Sequence, residues 1–227
     1  MKKIFFNVTA CICAGLLFAG CNKEDDEDVN NSGGSGFDGV IKATAVNLPP
    51  GLTADEVDID EVRVVFHSRE DYNDEYVVRS GYDNGRFILN LPLIVQDKYL
   101  STTAEGLSGN VKASDVNAKG CSVKSIEAYK GENEVGELVY YKADDEDPNA
   151  AAEVETIWYM YVDRDVNITG STIDDHFIAK NVKYSLSLKR GWNKVYLKLE
   201  KTGTTSLETL RTEPSGLTWH LNNYRPK

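Results

Sequence analysis

The residues best suited to chemistry in this 227-residue chain are concentrated between positions 158 and 174. Residues 163–167 (Asp-Arg-Asp-Val-Asn) place oxygen donors at positions one, three and five of a calcium-type loop, and Asp174 falls at position twelve. The sixth position, where such a loop turns sharply on glycine, is Ile168. Apolar and polar residues alternate through the whole segment, which predicts one continuous strand over residues 156–169 rather than a metal site.

The same predicted strand carries a candidate carbohydrate platform. If Trp158, Met160 and Val162 face the core, the opposite face presents tyrosine rings beside carboxylates and an amide. Aromatic rings can stack on sugar rings, while carboxylates and amides hydrogen-bond sugar hydroxyls. The alternative is that these rings pack inside the fold. With a tryptophan predicted in a nearby turn, the candidate ligand-binding residues are Tyr159, Tyr161, Trp192, Asp163, Asp165 and Asn167.

Signals for enzyme chemistry are weak. The histidines at 67, 176 and 220 lack metal-ligand spacing, and no nucleophile elbow, phosphate-binding loop or dinucleotide fingerprint occurs. Cys121 is predicted at the start of a strand, where a small buried hydrophobe is favoured over a nucleophile. Two facing carboxylates could hydrolyse a glycoside, but 36 acidic residues make that signal unspecific. We therefore predict a protein that is not an enzyme and that needs neither cofactor nor metal.

The first 21 residues predict export and lipidation. A basic start, Met1-Lys2-Lys3, precedes an uncharged run over residues 4–20, which is short for a membrane span and typical of a secretory signal. Residues 18–21 (Phe-Ala-Gly-Cys) resemble a bacterial lipobox, with Phe18 where that pattern prefers leucine. The resemblance implies a lipoprotein signal peptide at residues 1–20 and acylation of Cys21, for example with palmitate.

Residues 21–36 are predicted to form an acidic Gly/Ser tether behind the lipidated cysteine. Residues 22–28 (Asn-Lys-Glu-Asp-Asp-Glu-Asp) and 30–36 (Asn-Asn-Ser-Gly-Gly-Ser-Gly) can bury almost no apolar surface, so we expect disorder. The lysine and acidic run also resembles the export signal of surface-exposed lipoproteins of the Bacteroidota. This resemblance implies a lipid anchor in the outer membrane and exposure at the cell surface. The alternative is that the charges only keep the tether solvated.

The remainder, residues 37–227, is predicted to be all-β. Period-two alternation separated by turn residues, without helical periodicity, indicates an antiparallel β-sandwich-like unit of about ten strands. Small polar residues over 101–119 mark a candidate internal boundary. One unit is favoured over two, because the first of two separate domains would have a poor core.

Two β-hairpins are predicted within this unit. Asn84-Gly85 supplies the two positive φ angles of a type I′ turn between strands at 76–79 and 86–89. The second hairpin is predicted to join strands at 184–188 and 195–199 through residues 190–193.

Two short motifs carry a further family resemblance. Residues 84–92 (Asn-Gly-Arg-Phe-Ile-Leu-Asn-Leu-Pro) and 191–196 (Gly-Trp-Asn-Lys-Val-Tyr), behind a tethered acidic start, are similar to surface lipoproteins of the Bacteroidota. More distantly, they resemble fimbrillin-type β-sandwich proteins. Fimbrillin assembly needs a terminal donor strand, and residues 222–227 offer no apolar alternation for that role. The resemblance therefore implies fold and location more than function.

The charge balance excludes one class of partner. The formal net charge is −11, so a nucleic-acid partner is not expected, because phosphate attraction has the wrong sign. We predict a surface-anchored binding or scaffold module for a glycan or a partner protein, attached to the membrane through Cys21. The alternative is a structural adhesin or fimbrillin-like subunit, and a carboxylate-pair glycoside hydrolase is less favoured.

Overall fold

A computed structural model describes residues 37–105, 107–143, 153–173, 181–209 and 212–225. The predicted signal peptide, the lipidation site Cys21 and the tether lie outside these ranges. The described part is all-β and sandwich-like, as predicted, with 16 strands and two three-residue 3-10 helices at Ala54–Glu56 and Asp97–Tyr99.

The first eight strands are short, apart from the third and fourth. They are β1 (Val40–Ala43), β2 (Val46–Asn47), β3 (Glu61–His67), β4 (Asp74–Gly81), β5 (Phe87–Asn90), β6 (Ser101–Thr102), β7 (Lys112–Ala113) and β8 (Lys119–Ser122). The longer strands follow, and they are β9 (Ser125–Lys130), β10 (Asn133–Ala143), β11 (Val154–Val162), β12 (Val166–Thr172), β13 (Asn181–Leu188), β14 (Gly191–Leu199), β15 (Thr204–Glu208) and β16 (Thr218–Asn222).

Fourteen of these strands form one branched sheet, and β1 and β5 form a separate two-stranded sheet. The main path of the large sheet is β4-β3-β9-β10-β11-β14-β15-β13-β12-β7. The β13–β15 and β16–β2 ladders are parallel, whereas the other described ladders are antiparallel. The sheets are therefore mainly antiparallel, as predicted, and the described residues contain more than the ten or so strands expected, because two-residue strands give no alternation to detect.

Two hydrophobic cores lie on opposite faces of the β11–β14 ladder. The first core contains Ile157 and Tyr159 of β11 together with residues from β1, β3, β5, β9, β10 and β16. The second core contains Val195 and Leu197 of β14 with residues from β12, β13 and β15. Because successive residues of a strand point to opposite faces, β11 and β14 contribute to both cores. These two strands are therefore the shared wall of the molecule.

The single strand predicted over 156–169 is wrong. The chain ends β11 at Val162, bends over residues 163–165 and begins β12 at Val166. After the bend, β12 pairs with β13, while β11 pairs with β14. The bend lets Val166 and Ile168 fold back onto the second core, where both are buried. Alternation continues through the bend, so the sequence pattern does not reveal it.

The Asn-Gly turn is confirmed, but the hairpin predicted around it is wrong. Asn84 and Gly85 have φ of 48° and 83°, and Asp83 and Arg86 exchange hydrogen bonds of 3.0 and 2.9 Å. The strands on either side do not pair with each other, because β4 pairs with β3 and β5 pairs with β1. Phe87 and Leu89 of β5 are buried in the first core, so the turn carries the chain from one sheet to the other.

The second predicted hairpin is also wrong, because β15 lies between β13 and β14. The connection between β13 and β14 is a corner stabilised by the fully buried Asn193. Its side-chain oxygen accepts a hydrogen bond from the Lys189 amide (2.9 Å), and its side-chain nitrogen donates to the carbonyls of Lys189 and Gly191 (2.7 and 2.9 Å). One amide therefore satisfies three main-chain groups at this corner.

Replacing Asn193 with alanine is expected to destabilise the fold by about 2 kcal/mol, because three main-chain groups lose the partner that a fully buried amide supplies. The measurement is urea unfolding followed by circular dichroism. The control is Asn167→Ala, which truncates an exposed side chain on β12, and for which we expect a change within about 0.5 kcal/mol. Equal losses for the two variants would contradict the assigned role of Asn193.

Candidate functional site

The three rings of the predicted carbohydrate platform are buried, so that platform is wrong. Tyr159, Tyr161 and Trp192 are only 6, 8 and 5% exposed. Tyr161 packs edge-on against Trp192, with ring centroids 5.6 Å apart, and Phe37 lies 5.4 Å from Tyr159. Burial raises the pKa of Tyr159 well above its ordinary value. The physical reason is that the face of β11 that carries the two tyrosines packs into the first core.

The polar members of the predicted site have structural roles near the bend after β11. Asp163 accepts a hydrogen bond from the Lys119 amide at 2.8 Å. Asp165 connects the bend between β11 and β12 to the corner between β13 and β14. Its carboxylate accepts hydrogen bonds from Lys189 Nζ (2.7 Å) and from the Arg190 amide (2.9 Å). These two hydrogen bonds lower the pKa of Asp165. Asn167 is exposed, and its main chain pairs with Ser114. The structure thus brings these residues to one end of the molecule, away from solvent-exposed rings.

Cys121 has the surroundings of a packing residue. It faces Tyr161 across the β8–β11 ladder, and burial raises the pKa of its thiol to about 12. A nucleophilic cysteine needs the opposite shift, since the thiolate is the reactive form. Among the described residues, no three histidine, cysteine, aspartate or glutamate side chains come together in a way that could hold a metal ion.

The exposed tyrosines of the molecule lie elsewhere, at the start of the edge strand β4. Tyr72 is 64% exposed and Tyr76 is 44% exposed. Asp74 lies between them, opposite His67 on β3, and Tyr76 lies opposite Val65. Directly paired residues share a face of a sheet, and this face of β3 and β4 points away from the first core. We call Tyr72, Asp74 and Tyr76 the β4 platform.

The ring of Tyr76 is held in place by the buried side chain of Tyr129. The Tyr129 ring meets it edge-on at 5.4 Å, and the two hydroxyl oxygens are 2.5 Å apart. The Tyr129 hydroxyl also lies 3.0 Å from a Glu127 carboxylate oxygen, and the other oxygen of Glu127 accepts from Ser125 Oγ at 2.7 Å. Tyr129 is buried, and desolvation raises its pKa, so its hydroxyl stays protonated. This network fixes the orientation of Tyr76 before any ligand arrives.

A buried arginine completes the support beneath the platform. Arg63 is 2% exposed, and its guanidinium carbon lies 3.9 Å from the ring centroid of Tyr129 and 5.3 Å from that of Tyr76. It donates hydrogen bonds to Glu61 (2.8 Å), to the Gly131 carbonyl (3.0 Å) and to Glu132 (3.3 Å). Desolvation alone would lower the pKa of Arg63, but these carboxylates raise it, so the cation is compensated where it lies.

The carboxylate of the platform is also oriented. Asp74 accepts from Lys124 Nζ, and its other oxygen lies 3.0 Å from Nδ1 of His67. Desolvation works to raise the pKa of Asp74, yet the hydrogen bonds from Lys124 and His67 outweigh it, and the net shift is downward. The His67 and Tyr72 rings are neighbours, with centroids 6.4 Å apart. An ionised acceptor, oriented by Lys124 and His67, therefore lies between two exposed rings.

A period-two signal for this site is present in the sequence. Tyr72, Asp74 and Tyr76 alternate with Asn73 and Glu75, and residues 159–163 share this period of two with the order Tyr, Tyr, Asp. What distinguishes the two segments is the environment of the strand, since β4 is an edge strand with one exposed face and β11 is covered on both. That difference depends on strand order, which local alternation does not encode.

No family model, curated protein or solved structure matches this chain. Within the described ranges, no helix is long and apolar enough to cross a membrane. The candidate site therefore rests on its own geometry, which consists of two exposed tyrosines, an oriented carboxylate and a buried arginine.

Proposed function

We propose that this chain is a lipid-anchored lipoprotein of the outer-membrane surface that binds a glycan, without catalysis, on the β4 platform. The predicted anchor is the acylated Cys21, and the predicted export signal is the acidic segment that follows it. The observation that carries the proposed binding activity is the pair of exposed rings at Tyr72 and Tyr76 with the oriented Asp74 between them.

The chemistry of the platform suits a sugar better than an apolar or anionic ligand. A pyranose ring presents apolar C–H faces for stacking and a rim of hydroxyls for hydrogen bonding. Tyr72 and Tyr76 offer the rings, while the Asp74 carboxylate accepts hydrogen bonds and Lys124 Nζ donates. Because Tyr76 is already oriented by Tyr129, little conformational entropy is lost on binding, which favours affinity.

The test is a glycan array probed with the purified protein, followed by calorimetry on the best-bound sugar. Replacing Tyr72 with alanine is expected to raise the Kd about tenfold, because truncating an exposed aromatic anchor typically costs about 1–2 kcal/mol. Tyr76→Ala is expected to have a similar effect. Leu93→Ala, which truncates an exposed side chain outside the platform, serves as the matched control and should leave the Kd unchanged.

The proposal is wrong if the array gives no bound glycan, or if Tyr72→Ala and Leu93→Ala weaken binding equally. Binding that survives both tyrosine substitutions would place the ligand on another surface.

A second candidate function, a structural or adhesin-like subunit, is favoured by the edge position of β4. Among the described strands, β4 forms a ladder only with β3, so its outer edge can accept a strand from a neighbour. Such assembly predicts oligomers whose mass grows with protein concentration in light scattering. A proline at Val77 would then abolish the oligomers, whereas the glycan-binding proposal needs no self-association.

A further inference from the structure

Four loops meet at one end of the molecule, which we call the loop end. They are residues 91–97, 114–119, 163–165 and 189–190. Polar contacts hold them together, namely Lys119 Nζ to Asp97 (3.8 Å), Arg164 to Asp115 (3.8 Å) and Lys189 to Asp165 (2.7 Å). The acidic and basic side chains of the loop end are therefore largely matched with each other.

Two consecutive aliphatic side chains protrude from the first of these loops. Leu93 is 75% exposed and Ile94 is 69% exposed, whereas their neighbours Leu91 and Val95 are both buried. The indole of Trp192 donates a hydrogen bond of 2.8 Å to the Pro92 carbonyl, which ties the loop to β14. The loop thus presents a firmly supported apolar tip, and adjacent exposed aliphatic side chains are candidates for contact with an apolar partner.

The described chain begins next to this tip. The Gly39 carbonyl accepts a hydrogen bond from the Leu91 amide at 2.9 Å, and Gly39 lies against the Trp192 indole. Phe37 follows Cys21 by 16 residues, which can span at most about 55 Å, and a flexible Gly/Ser tether of this length, as the sequence predicts, would span about 22 Å on average. A domain of this size is about 40 Å across. A lipid on Cys21 would therefore keep the bilayer nearer to the loop end than to the opposite end.

We propose that the loop end docks on the bilayer that holds the lipidated Cys21, with Leu93 and Ile94 inserted between the lipid headgroups. This inference rests on the proposed lipid anchor. Lys119, Arg164 and Lys189 are exposed around the tip but are ion-paired with acidic side chains of the same loops, so the inserted aliphatic side chains, and not net charge, carry the attachment. Once the anchor has brought the domain to the surface, even weak insertion of two aliphatic side chains is favoured, because the effective concentration is high.

The test uses the full lipidated protein in vesicles of phosphatidylethanolamine and phosphatidylglycerol. A Leu93→Cys variant is labelled with an environment-sensitive fluorophore, and quenching by lipids with brominated acyl chains is measured. Cys121 does not compete for the label, because burial raises its pKa to about 12. The matched control is Ile173→Cys, which is 74% exposed just beyond the far end of β12. We expect bromolipid quenching at least fivefold stronger at position 93 than at position 173.

Flotation of the same vesicles tests the lipid anchor separately from the docking of the loop end. If the protein floats with the vesicles and both positions are quenched equally or not at all, the docking inference is overturned while the anchor stands. If the protein does not float, the anchor fails and the docking inference fails with it. Strong quenching of position 93 by aqueous iodide in the floated protein would show a tip that faces water, which also overturns the inference.

Discussion

Replacing Trp192 with alanine is expected to lower the free energy of unfolding by about 4 kcal/mol and the Tm by roughly 10 °C. The indole is buried between two aromatic rings of the first core, with centroids 5.7 Å from Phe66 and 5.6 Å from Tyr161. Its removal leaves a cavity at the shared wall of the two cores and frees the Pro92 carbonyl. Urea and thermal unfolding, followed by circular dichroism, measure the effect.

Trp158 provides the matched control for this prediction. It lies on the opposite face of β11 and is only partly buried against the second core. Trp158→Ala is therefore expected to cost about half as much, since less apolar surface is lost to water. A Trp192→Ala variant as stable as Trp158→Ala would contradict the packing described for the first core. Trp192→Phe adds a finer test, because it retains one aromatic ring while it removes the bond to Pro92 and part of the buried indole volume.

Replacing Arg63 with alanine is expected to lower the free energy of unfolding by about 3 kcal/mol. The substitution removes the cation stacked on Tyr129 and leaves the Gly131 carbonyl without the donor that ties the β9–β10 turn to β3. It also removes the support beneath Tyr76, so glycan affinity should fall in parallel. Chemical unfolding and calorimetry on the same variant measure both effects.

Arg79 is the matched control for Arg63. It occupies the directly paired position on β4, but it is exposed and makes only a 3.8 Å ion pair with Glu61. Arg79→Ala should change the free energy of unfolding by no more than about 0.5 kcal/mol, as exposed ion pairs usually do. Equal losses at the two positions would mean that burial of Arg63 contributes nothing to stability.

These two residues connect the packing of the fold to its proposed activities. Trp192 lies beneath the Leu93 and Ile94 tip, and Arg63 lies beneath the Tyr76 ring. In each case a buried, hydrogen-bonded side chain orients an exposed group. A binding surface made in this way is preorganised, which reduces the conformational entropy lost on binding.

Local sequence patterns predicted local structure well. The Asn84-Gly85 turn follows from backbone conformational preferences alone, and it forms as expected. Alternation correctly indicated most of the longer strands that the structure describes. It failed at β15 (Thr204–Glu208), where threonine, serine and glutamate dominate a strand that is inserted between β13 and β14. The position of β15 between two other strands depends on partners far away in sequence, so local alternation does not predict it.

For the candidate site, too, the sequence indicated suitable residue types, whereas the tertiary structure decided which of them are exposed. The sequence contains two segments with tyrosine and aspartate at alternate positions, and both qualify chemically as a sugar platform. In the folded chain, residues 159–163 line the wall between two cores, whereas residues 72–76 lie at the edge of the sheet.

By itself, the sequence determined the all-β class, the positions of most strands and the tight Asn-Gly turn, because steric and hydrophobic preferences of neighbouring residues are sufficient for these. Only the tertiary structure decided which strands pair, that the chain bends after Val162, and which tyrosines remain exposed. The physical reason is that burial is a property of the whole sheet. A face is exposed or covered according to which other strands reach it, and alternation along one strand carries no information about them.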